Sequence, residues 1–157
     1  MLIVGGGEAG RAVATDAHAR GLPVLHGRLE PDAAALASLK ARRVLAFAGI
    51  GDPEKFFATL QAAGIEIAAR APFPDHHPYS GQEAADLVRR AGHDGLSLVT
   101  TEKDLARLNG RDDVAELARV ARVLPVRLVV DEERLWRDLV LGALGGDATS
   151  RAADAGA

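Results

Sequence analysis

The stretch RVLAFAGIGDPEKFF, residues 43–57, decides the fold, because it leads from a strand through a glycine turn into a helix. The apolar run VLAFA predicts the strand. Gly49 and Gly51 follow it and allow the backbone to approach a neighbouring group closely. Asp52 and Pro53 then predict a helix start, with an acidic N-cap and proline in the first turn. This order of elements is typical of an α/β protein.

The same alternation continues on both sides of that stretch. Further strands are predicted at residues 2–4, 23–29, 65–71, 96–100 and 123–130, with helices between them and a last helix from Asp131 to about Leu144. Pro125 interrupts the last strand and therefore places it at a sheet edge. The pattern predicts an α/β fold with a mostly parallel sheet flanked by helices. We expect a single domain over residues 1–144 and a disordered tail over residues 145–157.

Composition excludes several classes of protein. The chain has 157 residues, of which 48% are hydrophobic and 26% charged, a balance typical of a globular domain. It has no cysteine, which excludes a disulfide scaffold, a thiolate zinc site and a cysteine nucleophile. The net charge of -3 argues against a nucleic-acid partner. No apolar run approaches the roughly 20 residues that cross a bilayer, so the expected compartment is the cytoplasm.

A glycine motif near the N-terminus suggests one kind of ligand. Gly5, Gly7 and Gly10 fit the Gly-x-Gly-x-x-Gly spacing of dinucleotide-binding proteins, and Glu30 follows at a distance suited to a ribose. This pattern is consistent with a small NAD-binding oxidoreductase of the Rossmann type. A tight turn between strand and helix, without any ligand, explains the same glycines.

The segment with the most reactive side chains is the run Asp75-His76-His77, which prolines flank on both sides. Histidine titrates near neutral pH, and an adjacent carboxylate orients it, so a general acid or base is one interpretation. A metal site would need a further ligand, for which His93 and Asp94 are candidates, but no metal-ligand spacing is evident. A rigid connector whose histidines bind backbone groups is the third interpretation.

Two further groups follow predicted strands, where α/β proteins bind ligands. Thr101, Glu102 and Lys103 come after an apolar strand, and Lys103 has the chemistry to contact a phosphate or a carboxylate. Gly49 and Gly51 occupy the equivalent place after the strand described first. An ordinary helix N-terminus, capped by Thr101, and a bare turn explain the two groups equally well.

Taken together, three motifs resemble one known family, the tetraacyldisaccharide 4'-kinases, also called lipid A 4'-kinases. The motifs are RVLAFAGIGDPEKFF at 43–57, FPDHHPY at 73–79 and LVTTEKD at 98–104, and the similarity extends from residue 1 to about 144. The resemblance is to the C-terminal half of the family only. It implies the C-terminal part of a P-loop-kinase-like protein that lacks its nucleotide-binding half. That half carries the phosphate loop for ATP and Mg²⁺ and a membrane-associating helix, and no phosphate loop occurs in this sequence.

The resemblance also implies a function. Family members transfer the ATP γ-phosphate to the 4'-hydroxyl of tetraacyldisaccharide 1-phosphate, in lipid A biosynthesis at the cytoplasmic face of the inner membrane. In the family, the histidine of the Asp-His motif pairs with an aspartate of the N-terminal half. Here that position falls on His76, with Asp75 beside it. We expect Gly49, Gly51, Thr101, Glu102 and Lys103 to lie at the substrate cleft.

The same resemblance implies cofactors and partners. Full-length members use ATP and Mg²⁺, but we expect neither to bind tightly to this chain, and we expect a truncated, inactive form. The implied partners are the lipid A disaccharide precursor, the surface of the inner membrane and, as one candidate, a separate N-terminal half. A non-catalytic binding module is the remaining alternative.

Overall fold

The structure is a computed structural model that describes residues 1–4 and 7–150, with side chains as far as Gly142. Its strands are β1 (Leu2–Val4), β2 (Leu25–Pro31), β3 (Arg43–Ala48), β4 (Glu66–Pro72), β5 (Ser97–Thr101), β6 (Arg122–Leu124) and β7 (Val126–Val130). Its α-helices are α1 (Glu8–Ala19), α2 (Ala33–Leu39), α3 (Pro53–Ala62), α4 (Gly81–Asp94), α5 (Glu102–Leu108), α6 (Ala115–Val120) and α7 (Glu133–Ser150), and Asp112–Val114 forms a 3-10 turn. The chain contacts group into two compact units, one of residues 31–126 and one of residues 1–30 with the chain from Arg127 onward.

The unit of residues 31–126 is built on four parallel strands in the order β4-β3-β5-β6. β3 is central, and its side chains alternate between two apolar clusters because successive residues of a strand point to opposite faces. Leu45 and Phe47 pack in one cluster with residues of α4 and α6. Val44 and Ala46 pack in the other with residues of α2 and α3. The predicted parallel sheet flanked by helices is therefore confirmed.

The other unit contains a three-stranded sheet in the order β1-β2-β7. β1 runs parallel to β2, with Leu2 opposite Leu25. Glu132, just before α7, accepts hydrogen bonds from the backbone N–H of His26 at 2.8 Å and contacts its Nδ1 at 3.1 Å. These bonds, first of all the one from the backbone, hold the pKa of Glu132 below its usual range.

One strand differs from the sequence prediction. The single strand predicted at 123–130 is wrong, because β6 and β7 belong to different sheets. Pro125 separates them, since proline has no N–H with which to continue a ladder. Each of the two strands lies at the edge of its sheet, as the proline predicts. α7 continues to Ser150 and residues 151–157 lie outside the described residues, so the tail predicted over residues 145–157 stays a prediction. That residues 1–144 act as one domain stays a prediction.

Among the residues that the structure describes, no helix combines the length and the apolar character needed to span a membrane.

Candidate functional site

The proline-flanked loop after β4 contains a tight turn that places His76. The His77 N–H donates to the Pro74 carbonyl at 3.2 Å, and His76 has a φ of 59°. A positive φ at the third residue is what a type II turn requires, and it costs a residue with a Cβ about 1–2 kcal/mol. The His76 N–H donates to the Gly49 carbonyl at 3.1 Å, which ties the turn to the end of β3.

The second histidine of the loop, His77, is held by stacking and by contacts with a carboxylate. The His77 ring stacks on Phe73 with 4.8 Å between centroids, and its Nε2 lies 3.0 Å from both carboxylate oxygens of Glu83. Glu83 also completes a capping box with Ser80 at the start of α4. The Ser80 backbone N–H, followed by His77, lowers the pKa of Glu83 to about 2. His77 therefore anchors the loop to α4.

Beneath the loop lies a buried carboxylate, Asp104, in the first turn of α5. It accepts hydrogen bonds from the Gly49 N–H at 3.1 and 3.2 Å, from Thr101 Oγ1 at 2.7 Å and from Arg107 Nη1 at 2.9 Å. A buried charge is tolerated when it is paired and hydrogen-bonded, as this one is. Asp104 thus joins the end of β3 to the end of β5.

Tyr79 closes the buried side of the same region. Its hydroxyl group is buried and has no hydrogen-bond partner in the part of the chain that the structure describes. Burial, and next the negative charge of Asp104, raises the pKa of Tyr79 above its usual value. A Cβ on Gly49 would lie 3.1 Å from this hydroxyl oxygen, so a side chain larger than hydrogen would crowd that position.

On the exposed side, four side chains form what we call the His76 cluster: Asp75, His76, Lys103 and Arg107. Arg107 Nη2 lies 3.1 Å from His76 Nδ1, and Lys103 Nζ lies 3.5 Å from His76 Nε2. Asp75 contacts both Lys103 Nζ and His76 Nε2 at 3.7 Å. The His76 side chain is 68% exposed, so a largely solvent-exposed imidazole stands beside one carboxylate and two cations.

The structure brings most of the predicted site residues together. Asp75, His76 and Lys103 share the cluster. The Gly49 carbonyl accepts the His76 N–H of the turn at 3.1 Å. A Cβ on Gly51 would lie 3.5 Å from Asp75 Oδ2. Thr101 contributes indirectly, because its hydroxyl group caps α5 and donates to Asp104.

Glu102 does not join the cluster, because its carboxylate accepts the Val126 N–H at 3.1 Å. Sequence reasoning missed Arg107 and assigned no role in the site to Asp104. The only signal for Arg107 was its position one helical turn after Asp104, which is a common spacing on any helix.

The resemblance implies ATP and Mg²⁺ as cofactors. Within the described ranges, no three histidine, aspartate or glutamate side chains converge in a way that could hold a metal ion. His93 instead contacts its neighbour Asp94 at 2.6 Å. The chain also has no phosphate loop for ATP.

The proposed ribose ligand, Glu30, is engaged elsewhere. Its carboxylate accepts hydrogen bonds from Arg127 Nη2 and Arg28 Nε, each at 3.0 Å. Arg127 first and Arg28 second hold the pKa of Glu30 below its usual range. Gly5 and Gly6 lie outside the described residues. The carboxylate that the dinucleotide hypothesis assigns to a ribose is thus paired with two arginines, and this geometry does not favour that hypothesis.

Four parallel strands with polar groups gathered beyond their carboxyl ends define an α/β protein of the kind that binds ligands at this edge. The family model described as "Tetraacyldisaccharide-1-P 4'-kinase" matches residues 1–144. The chain belongs to this family of kinases, and the sequence-based resemblance is confirmed.

Relatives and a solved structure agree with that assignment. The chain is 54% identical over 145 residues to a tetraacyldisaccharide 4'-kinase of Rhodopseudomonas palustris strain BisA53, covering 92% of this chain and 42% of that protein. It is 49% identical over 150 residues to the same kinase of a Methylobacterium strain, 4-46, covering 94% and 43%. A crystal structure of LpxK from Aquifex aeolicus in complex with ATP has 26% identity and a TM-score of 0.52, covering 77% of this chain and 36% of that one. The chain therefore spans about two fifths of the length of the curated relatives it matches.

Proposed function

We propose that this chain forms the part of a lipid A 4'-kinase that presents His76 to the 4'-hydroxyl of tetraacyldisaccharide 1-phosphate. One observation carries the proposal: the family's Asp-His motif stands exposed at the carboxyl edge of the parallel sheet, with Lys103 in contact with both of its side chains. An exposed imidazole at such an edge has the chemistry to bind and orient a carboxylate that takes the proton of a sugar hydroxyl.

Each residue of the cluster has a role in this proposal. His76 donates from Nε2 to the aspartate that the family supplies from its other half, and that carboxylate takes the proton of the acceptor hydroxyl. Asp75 and Lys103 lie within 3.7 Å of each other and balance each other's charge beside the imidazole. Phosphoryl transfer depends mainly on the positioning of groups and on charge neutralisation, which makes a preorganised cluster useful.

The remaining machinery is proposed to lie outside the matched region. Because this sequence has no phosphate loop, we expect the other three fifths of the family's length to bind ATP and Mg²⁺. The same region, together with the acyl chains of the substrate, would bring the kinase to the cytoplasmic face of the inner membrane. This chain alone is expected to show negligible phosphate transfer.

A chimera tests the proposal. Residues 1–145 of this chain replace the matching segment of the Rhodopseudomonas palustris BisA53 kinase, which is 54% identical over that length. We expect transfer of labelled phosphate from ATP to the lipid disaccharide by the chimera but not by this chain alone. His76→Ala should lower the chimera's turnover by about 10²–10⁴-fold, the usual contribution of an acid or base group.

The matched control is His93→Ala, because His93 is an exposed histidine on α4 whose ring contacts only its neighbour Asp94 among the hydrogen-bonding groups described. It should leave turnover unchanged. Full activity of the His76→Ala chimera would show that the proposal is wrong.

A further inference from the structure

We propose that Arg107 is a positioning residue for His76: its guanidinium binds Nδ1 of the imidazole, fixes the ring and leaves Nε2 as the nitrogen that faces the substrate. The consequence for catalysis rests on the function proposed above, whereas the contact itself does not.

Arg107 is built to hold several acceptors at once. Its Nη1 donates to the Gly49 carbonyl at 2.8 Å and to Asp104 Oδ1 at 2.9 Å, while its Nη2 lies 3.1 Å from His76 Nδ1. Arginine carries donors only and stays protonated. Nδ1 therefore accepts this bond. Lys103 Nζ is a donor too, but at 3.5 Å from Nε2 its contact is longer than the 3.1 Å contact at Nδ1, so the shorter contact decides and the neutral ring carries its proton on Nε2.

The exposure of His76 explains why such a contact is needed. With 68% of its side chain exposed, the imidazole is not held by packing, and an exposed ring is free to change rotamer. A hydrogen bond from a donor that is itself held in place can restrain the His76 ring. Lys103 and Asp75 approach only the Nε2 side, at 3.5 and 3.7 Å, so the described contact at Nδ1 is the one from Arg107.

The Arg107 side chain is itself held in place by a buried partner. Its side chain is 21% exposed, and its partner Asp104 is fully buried. Asp104 is fixed in turn by the Gly49 N–H and the Thr101 hydroxyl group. The connection therefore starts at the ends of β3 and β5 and reaches His76 through one planar guanidinium. A lysine at this position keeps the charge but lacks the fork that reaches Asp104 and His76 together.

Nuclear magnetic resonance of the full 157-residue chain tests the contact without any activity. The chain has five histidines, so long-range ¹H–¹⁵N spectra of the rings can be assigned by single substitutions. At about pH 8, above the ordinary range of histidine titration, we expect His76 to carry its proton on Nε2 and to show an Nδ1 signal displaced by an accepted hydrogen bond. Arg107→Lys should move that Nδ1 signal towards the value of the unfolded chain and leave the His93 ring signals unchanged.

Two controls keep this experiment decisive. Arg89→Lys changes an arginine of α4 that pairs with Asp86, and it should not alter the His76 ring. If Arg107→Lys fails to fold, the unsubstituted chain still decides, because a proton found on Nδ1 overturns the proposal. Identical His76 spectra in the folded Arg107→Lys variant and the unsubstituted chain overturn it as well.

The chimera then tests the consequence for catalysis. Arg107→Lys should lower kcat by about 10–100-fold with little change in KM, since a misplaced catalytic group costs on this order. In a His76→Ala background it should add almost no further loss, whereas a merely structural defect would lower kcat again. An unchanged kcat overturns the positioning role. An inactive parent chimera overturns the proposed function instead, while the ring spectra still decide whether Arg107 holds His76.

Discussion

Replacing Gly49 by alanine should destabilise the unit of residues 31–126, because the space beside its Cα is already occupied. A Cβ there would lie 3.1 Å from the Tyr79 hydroxyl oxygen, 3.2 Å from Asp104 Oδ1 and 3.2 Å from the Cβ of His77. All three neighbours are fixed: the tyrosine ring is buried, the carboxylate accepts several hydrogen bonds, and the third atom is attached directly to the backbone. Contacts this short force the surrounding atoms to move.

The size of the effect follows from the cost of overpacking. Adding a methyl group to a filled interior costs about 1–3 kcal/mol, and any shift of Asp104 also weakens its charged hydrogen bond from the Gly49 N–H. We expect a loss of about 2 kcal/mol in the free energy of unfolding. With a urea m-value of about 1–3 kcal/mol per molar, this moves the unfolding midpoint down by roughly 1 M.

The chain contains one tyrosine and one tryptophan, which makes the assay specific. Tyr79 lies in the affected unit, so its near-ultraviolet circular dichroism reports unfolding there, whereas Trp136 fluorescence reports the other unit. Gly51→Ala is the matched control, since its Cβ would meet its nearest neighbour at an ordinary 3.5 Å. A midpoint for Gly49→Ala equal to that of Gly51→Ala would refute the packing argument.

Three further predictions concern the same region. Because the pKa of Tyr79 is raised, its phenol should stay protonated in the folded chain through about pH 11. The stability that its burial contributes below about pH 10 should therefore decrease as the pH rises further. Absorbance at 295 nm checks this, and ionisation of Tyr79 at about pH 10 without unfolding would contradict it. The pKa of Glu83 is lowered to about 2, so the stability that its carboxylate contributes is present above about pH 4.5 and is lost as the pH falls towards 2. The urea midpoints of Glu83→Gln and of the unsubstituted chain should therefore converge over that range. A constant difference between the midpoints would show that the charge of Glu83 is not the source of the stability. His76→Gly should be about 1 kcal/mol more stable than His76→Ala, because glycine adopts the φ of 59° without strain; equal melting temperatures would show that the turn is not strained.

Local sequence signals predicted the scaffold of the site well. α3 begins at Pro53, and the Asp52 side chain accepts the Lys55 N–H at 3.1 Å, as an acidic N-cap predicts. The capping box of Ser80 and Glu83 is present with both of its hydrogen bonds. These features depend on residues three positions apart in the chain, so their geometry is fixed before any long-range packing is known.

Long-range contacts were not predictable in the same way. Arg107 meets His76 across 31 positions, and neither residue carries a sign of the other. Glu102 was predicted at the cleft with its neighbours Thr101 and Lys103. Its carboxylate accepts the Val126 N–H and does not join the His76 cluster, and its place at the cleft stays a prediction. The catalytic role of His76 and Asp75 stays a prediction.

The two adjacent histidines show how the loop separates stability from chemistry. His77 is 19% exposed, stacks on Phe73 and contacts Glu83, so its contacts fix the loop and stabilise the fold. His76 has the opposite properties: it adopts a backbone conformation better suited to glycine and leaves most of its ring in solvent. A strained residue whose side chain adds little packing is difficult to explain by stability. The strain is understandable if the turn exists to hold an imidazole at the edge of the sheet, where Arg107 orients it.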